Sequence, residues 1–216
     1  GLVGSEMCIR DRSNQPIGIF DSGFGGLTVA RAIIDLLPSE DIVYFGDTSR
    51  YPYGPQPLDE VKSYSEQISD YLIAEHDVKM IVIACNTASA AAEGDLRNST
   101  EIPIVGVITP GAQAVVEVSS TKRIGVIGTV GTINSQAYDH AIKGISPGNI
   151  ELVSVACPGF VEFVERGEFE GEQVRILADR LLAPVIQADV DALLLGCTHY
   201  PYLARAIGES VGEGVV

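Results

Sequence analysis

Short apolar runs alternate with longer segments of helical composition along the chain. Each apolar run is nearly continuous and rich in Val and Ile, which is typical of strands that are buried on both faces. These runs lie at 16–20, 41–46, 80–85, 102–107, 123–128, 151–157 and 192–197. The segments between them predict helices at 26–37, 58–75, 87–97, 134–143 and 171–187. Because strand and helix alternate, the pattern predicts an α/β protein with mainly parallel sheets.

Two pairs of segments resemble each other across the two halves of the chain. IGIFDSGFGG at 17–26 matches IGVIGTVGTI at 124–133 in its order of strand, glycine turn and hydroxyl residue. IVIACNTAS at 81–89 matches LLLGCTHYP at 193–201, because in both an apolar run ends in a small residue followed by Cys. Any two α/β halves share strand patterns, but the matched cysteines favour two halves of related design.

The same patterns divide the chain into three parts. Residues 1–15 show no periodicity and end where the first strand begins. We therefore expect a disordered or non-native lead there, and Cys8 is discounted with it. Residues 16–109 are predicted to form a first α/β domain and residues 110–216 a second one.

Composition and charge exclude several classes of protein. The 216 residues are 46% hydrophobic and 20% charged, which is typical of a globular protein with one large domain or two small ones. The formal net charge of −15 repels polyanions, so nucleic acid is not an expected partner. No apolar run approaches the roughly 18 residues of a membrane span, and the first residues lack the apolar core of a signal peptide. We expect a cytoplasmic protein without a membrane partner.

The cysteines are the first candidates for chemistry. The four cysteines form no CxxC motif, so neither a disulfide scaffold nor a structural zinc site is indicated. Cys85 and Cys197 each end a predicted strand just before a predicted helix start, where the partial positive charge of the helix favours thiolate. Most free cysteines are inert, but two in matching positions with polar neighbours predict a reactive pair. Cys157 also ends a strand but has no counterpart, so we interpret it as structural.

Other polar residues follow the same predicted strands. Ligands of open parallel sheets bind beyond the carboxyl ends of the strands. Asp21 and His199 stand there as candidate acid or base helpers, although a lone Asp is more often a cap and a lone His more often structural. Glycines in DSGFGGLT lack the spacing and the lysine of a phosphate loop. The residues that could instead bind small carboxylates, or merely cap helices, are Ser22, Asn86, Thr87, Thr129 and Thr198.

Six motifs together resemble a known family. They are, in order, IGIFDSGFGGLTV, YFGDTSRYPYG, IVIACNTASA, GVITPGA, GVIGTVGTI and LLLGCTHYPYL. From Pro16 to Leu203 the chain resembles the glutamate racemases, within the broader group of cofactor-independent aspartate and glutamate racemases. CNTAS and GCTHYP are the most specific of the motifs.

The resemblance implies a fold, an activity and a set of site residues. It implies two pseudo-symmetric α/β domains facing a shared cleft, and interconversion of L-glutamate and D-glutamate that supplies D-glutamate for peptidoglycan synthesis. One thiolate would remove the α-proton and the opposite thiol would return a proton to the other face. The catalytic residues it implies are Cys85, Cys197, Asp21, His199 and Glu165. The substrate-binding residues it implies are Asp21, Ser22, Pro52, Tyr53, Gly54, Asn86, Thr87, Thr129, Thr132 and Thr198.

The chemistry of inversion is consistent with this interpretation. Inversion at a carbon needs proton exchange on two opposite faces, which two equivalent thiols supply. Pyridoxal phosphate would need a Schiff-base lysine. The lysines nearest the predicted strands, Lys79 and Lys122, stand at the amino ends of those strands, whereas ligands bind at the carboxyl ends. No cofactor is therefore expected. No metal is expected either, because Asp21, Cys85, Cys197 and His199 include no pair of ligands at metal-site spacing. Glutamate is the expected small-molecule partner, while a homodimer and a cell-wall-precursor activator are left open.

Alternatives from other classes remain at this point. The same fold could racemise aspartate or a related amino acid, with Thr129 and Thr132 as the candidate holders of the distal carboxylate. Cys85 and Cys197 could form a thiol redox enzyme. The family usually continues well beyond GCTHYP to complete the first domain, whereas this chain ends at Val216. We therefore expect a first domain without that segment, and a catalytically impaired fragment that only binds ligand is a further alternative.

Overall fold

The computed structural model describes residues 14–148 and 150–216. Most of the predicted lead, residues 1–13 with Cys8, lies outside the described residues. The described chain alternates strands and helices and forms two sheets whose neighbouring strands are all parallel. The predicted α/β fold class is confirmed. None of the described helices has the length and apolarity that crossing a membrane requires.

The first sheet has the strand order β2-β1-β3-β4. Its strands are β1 (Ile17–Asp21), β2 (Ile42–Gly46), β3 (Met80–Ile83) and β4 (Ile104–Gly106). The connecting helices are α1 (Leu27–Leu36), α2 (Leu58–His76) and α3 (Asn86–Ser99). The central strands β1 and β3 are almost fully buried, as their continuous apolar sequence predicts. We call this sheet and its helices the first half.

The second sheet has the order β6-β5-β7, which repeats the order of the first three strands. Its strands are β5 (Arg123–Gly128), β6 (Glu151–Ala156) and β7 (Ala192–Gly196). Its helices are α4 (Ile108–Val118), α5 (Val130–Asn134), α6 (Ala137–Ile145), α7 (Phe160–Glu165), α8 (Glu172–Gln187) and α9 (Ala204–Val211). We call this sheet and its helices the second half.

Several helical regions differ from the predicted helices, among them the segment 134–143 and helix α4. The predicted helix at 134–143 is divided, because Gln136 has a left-handed backbone (φ 57°) that separates α5 from α6. Helix α4 was not predicted from GVITPGA, since Pro110 and Gly111 resemble a turn. Proline is tolerated in the first turn of a helix, and α4 packs its apolar face into the core of the second sheet. The proposed boundary at 109/110 falls in this first turn, and the division into two domains stays a prediction.

The shared strand order brings the predicted polar residues to matching places. In each half the first strand is central, the second strand lies on one side of it and the third strand on the other. This reversal of direction leaves a crevice at the carboxyl ends of the strands. In the first half this crevice lies between β1 and β3, which are followed by Asp21-Ser22 and Cys85. In the second half it lies between β5 and β7, which are followed by Thr129 and Cys197.

Candidate active site

Cys85 caps helix α3. Its Sγ accepts a hydrogen bond from the backbone N–H of Ala88 at 3.5 Å and lies 3.9 Å from Oγ of Ser22. Only 6% of the residue is exposed. The sequence prediction that this cysteine stands at a helix N-terminus is correct.

Cys197 lies in a different local structure. It follows β7, but the next helix is a short 3₁₀ helix, Tyr200–Leu203, and not the start of an α-helix. Its Sγ lies 4.0 Å from Nδ1 of His199. The other ring nitrogen, Nε2, lies 2.9 Å from Oε1 of Glu165 at the end of α7. A chain of three groups, Cys197, His199 and Glu165, therefore runs from the thiol toward the surface.

Asp21 joins the two halves. Its side chain is completely buried, and Oδ2 accepts a hydrogen bond from the backbone N–H of Gly23 at 3.0 Å. Oγ1 of Thr198, from the second half, donates to Oδ1 at 3.4 Å. A Cβ atom on Gly26 would lie 2.5 Å from Cβ of Asp21, and one on Gly25 would lie 2.6 Å from Oγ1 of Thr198. The glycines of DSGFGG thus permit close packing around the carboxylate.

Three threonine hydroxyls meet where the N-termini of α3 and α5 face each other. Oγ1 of Thr87 lies 2.9 Å from Oγ1 of Thr129 and 3.1 Å from Oγ1 of Thr132. Thr129 also caps α5, accepting from the backbone N–H of Thr132 at 3.2 Å. Hydroxyls can rotate to donate or accept, so the cluster can redirect its protons toward an anionic ligand.

The loop after β2 forms another wall of the site. The backbone N–H of Gly131 donates to the carbonyl of Gly54 at 2.8 Å, which holds this loop against α5. A Cβ atom on Gly54 would lie 2.8 Å from Cβ of Thr129. The hydroxyl of Tyr53 donates to the buried carboxylate of Asp47. Tyr53 therefore supports the loop through its side chain.

Most of the predicted site residues line one narrow cleft between the halves. Its lining comprises Ser22, Tyr51, Pro52, Tyr53, Gly54, Cys85, Asn86, Thr87, Thr129, Val161, Cys197, Thr198 and His199. Three predicted residues do not line it but contact residues that do: Asp21 contacts Thr198, Thr132 contacts Thr87, and Glu165 contacts His199. Among the described residues, no group of three or more His, Cys, Asp or Glu could hold a metal ion.

Two lining residues were missed by the sequence reasoning. The ring of Tyr51 lies 6.0 Å from that of His199, and its hydroxyl is buried near Glu165. Val161 lies on α7, at the other side of the cleft. The place of Tyr51 directly before the predicted Pro52-Tyr53-Gly54 segment was the signal that could have found it.

Burial dominates the ionisation of the acidic groups. It raises the pKa of Cys85 to about 12, and the charge of Asp21 raises this pKa further. Hydrogen bonds with the Ala88 N–H and with Ser22 lower the pKa by a smaller amount. Burial also raises the pKa of Cys197 above its ordinary value and that of the Asp21 carboxyl. The N-terminus of α3 lowers the pKa of Cys85, as the sequence predicts, but the loss of hydration on burial outweighs this contribution.

We expect this ionisation to be visible in thiol reactivity. Only thiolate reacts with iodoacetamide, so the alkylation rate of Cys85 in the free protein should rise about tenfold per pH unit from about pH 7 to about pH 9. Mass spectrometry of the labelled peptide against time measures the rate. A rate that levels off below about pH 8 would instead indicate a thiolate stabilised by the helix.

Comparisons with known proteins give similarity over most of the chain. The family described as Asp/Glu/Hydantoin racemase matches residues 18–216. A glutamate racemase from Parafrankia sp. is 52% identical over 203 residues, which are 94% of this chain and 72% of that protein.

Crystal structures of glutamate racemases are also similar to this chain. The crystal structure of glutamate racemase isoform RacE1 from Bacillus anthracis has a TM-score of 0.90 and 42% identity, covering 94% of this chain and 75% of that one. The crystal structure of glutamate racemase from Francisella tularensis in complex with D-glutamate has a TM-score of 0.87 and 40% identity, and the match covers 94% of this chain and 76% of that one.

Proposed function

The chain belongs to the Asp/Glu/Hydantoin racemase family, and on this premise we propose that it interconverts L-glutamate and D-glutamate without a cofactor. The D-glutamate formed would supply peptidoglycan synthesis. The observation that carries the proposal is the pair of buried cysteines: Cys85 and Cys197 follow matching strands of two sheets and line the same cleft.

Two thiols on opposite sides of a substrate suit inversion at its α-carbon. The thiolate on one side takes the α-proton and becomes a thiol. The thiol on the other side then gives its proton to the opposite face of the carbon and becomes a thiolate. The thiols have exchanged protonation states when the other enantiomer is formed, so the enzyme is poised for the reverse reaction. Because burial favours the neutral thiols, each thiolate must be generated with help from its neighbours.

The neighbours that could generate a thiolate differ between the two sides. On the Cys197 side, the thiol proton can pass to Nδ1 of His199, and the carboxylate of Glu165 at 2.9 Å stabilises the charged imidazolium that results. On the Cys85 side, the candidate proton acceptor is Asp21, and burial raises the pKa of its carboxyl, which makes the carboxylate a stronger base than an exposed one.

The donors around the cleft suit an amino acid with two carboxylates. None of the described residues that line the cleft is Lys or Arg, so the anionic groups must be bound by neutral donors. The start of α3 and the hydroxyl cluster provide such donors, and they gain from the partial positive charge of the helix. We assign substrate binding to Ser22, Asn86, Thr87, Thr129, Thr132 and Thr198, with Pro52, Tyr53 and Gly54 forming the facing wall.

The activity test uses the purified chain with L-glutamate or D-glutamate and no added cofactor. Circular dichroism should show that both reactions converge on an equal mixture of the enantiomers. Alkylation of the thiols should block the reaction, and glutamate should protect against the reagent because the substrate lies between the two thiols.

Two further measurements, with aspartate as the substrate and with added pyridoxal phosphate or a chelator, could contradict the proposed function. L-aspartate tested at the same concentrations should react much more slowly than glutamate, and faster racemisation of aspartate would assign the chain to that substrate. Activity that appears only with added pyridoxal phosphate, or that a chelator removes, would contradict the cofactor-free proposal.

A further inference from the structure

A buried hydrogen bond connects the second half to the cleft-lining start of α3. Tyr138 lies in α6, has 3% of its surface exposed, and donates from its hydroxyl to Oδ1 of Asn86 at 2.6 Å. Asn86 is the first residue of α3, follows Cys85 directly and lines the cleft. Tyr138 itself does not line the cleft, so any effect it has on a ligand passes through Asn86.

Two glycines leave a slot that fixes the Tyr138 ring. A Cβ atom on Gly111 of α4 would lie 3.2 Å from the Tyr138 hydroxyl oxygen. A Cβ atom on Gly196 at the end of β7 would lie 3.1 Å from Cε2 of the ring. The ring is therefore held between α4 and β7, with its hydroxyl directed at the Asn86 side chain.

The direction of the hydrogen bond decides which end of the Asn86 amide remains for a ligand. An asparagine side chain has one oxygen that accepts and one nitrogen that donates. Burial raises the pKa of Tyr138 above its ordinary value, so the phenol keeps the proton that it donates to Oδ1 of Asn86. Since the phenol donates to Oδ1, the nitrogen Nδ2 is the amide atom left to bind a group in the cleft. An amide turned the other way would present its oxygen to an anion and repel it.

We propose that Tyr138 is a positioning residue for substrate binding, which holds Asn86 with its amide nitrogen available to a carboxylate of the substrate. The inference rests on the proposed function, because it needs an anionic ligand in this cleft. It assigns a role in binding to a residue of α6 that lies outside the cleft. The full affinity for the substrate is therefore expected to require the hydrogen bond between Tyr138 of the second half and Asn86 of the first half.

The test is a double-mutant cycle on Tyr138 and Asn86, read by glutamate binding and by steady-state kinetics. Tyr138→Phe keeps the ring in its slot and removes only the hydroxyl. We expect KM and the Kd for D-glutamate to rise about threefold to tenfold, as for one lost hydrogen bond, with kcat changed less than about twofold. In the Asn86→Ala background the same substitution should change Kd by less than about 1.5-fold, because Tyr138 acts only through Asn86.

A matched control separates positioning from stability. Tyr200 is also buried in the second half, and its hydroxyl donates to the backbone carbonyl of Cys157 at 3.1 Å. Tyr200→Phe should lower the melting temperature about as much as Tyr138→Phe but leave the Kd for D-glutamate unchanged. An equal rise of Kd in both variants, or the same rise for Tyr138→Phe with and without Asn86, would overturn the positioning role.

The failure of the inference can be distinguished from that of the proposed function. If the unaltered chain racemises glutamate and Tyr138→Phe has an unchanged Kd and KM, only the inference fails. If the unaltered chain binds D-glutamate by calorimetry without racemising it, the proposed function fails and the binding cycle still decides the inference. Failure to bind glutamate at all would overturn both.

Discussion

Replacing either Cys85 or Cys197 with serine is expected to reduce racemisation of both enantiomers by a factor of about 10² to 10⁴, the usual contribution of a positioned acid or base. Serine has nearly the same shape, so the fold and the cap of α3 should be preserved. Its hydroxyl is a far weaker acid than a thiol. Each thiol must act as a base in one direction and as an acid in the other, so neither direction should be spared in either variant.

Cys157→Ser is the matched control for these two variants. Cys157 is buried like the other two cysteines, and burial raises the pKa of its thiol to about 12 as well. Its Sγ contacts the carbonyl of Val155 at 3.8 Å, and it lines an adjoining pocket that contains neither Cys85 nor Cys197. The variant should keep most of its activity. Rates in both directions, followed by circular dichroism alongside melting temperatures, make the comparison, and near-normal turnover by the Cys85 or Cys197 variant would contradict the assignment.

The fold was largely predictable because buried parallel strands have a distinctive sequence. The strands of both sheets overlap the apolar runs, and the internal similarity predicted two halves of related design, which share the strand orders β2-β1-β3 and β6-β5-β7. The family predicted from six ordered motifs is confirmed over residues 18–216. Helix α4 was missed because its proline and glycine suggest a turn, whereas its apolar face packs into a core formed by the second sheet and α6, which are distant in the sequence.

The site was predictable to the extent that its residues follow strands. Asp21, Cys85 and Cys197 could be found in this way, and strand order explains why they meet. The raised pKa values of the two thiols could not be predicted from the sequence. They result from burial, which depends on how the two halves pack and not on the local sequence. Glu165 came from the family resemblance alone, since its contact with His199 joins two distant segments.

Tyr51 and Tyr138 show the other limit of the sequence reasoning. The hydroxyl of each tyrosine lies far from its backbone, so its position depends on how neighbouring elements pack. The glycine slot around Tyr138 is formed by α4 and β7, which are far apart in the chain. A pattern of helix and strand contains no information about which side chain will reach across to Asn86.

The central claim is that the two thiols exchange protons on opposite faces of one α-carbon, and it is tested most directly by racemising glutamate in deuterated water. The thiol that donates has exchanged with solvent before the substrate binds, and the proton removed from the substrate goes to the other thiol. At low conversion, NMR or mass spectrometry should therefore find deuterium at the α-carbon of nearly all product molecules, while the remaining substrate is almost unlabelled. Substantial retention of the original proton in the product would indicate one base acting on both faces, and would contradict the two-thiol account.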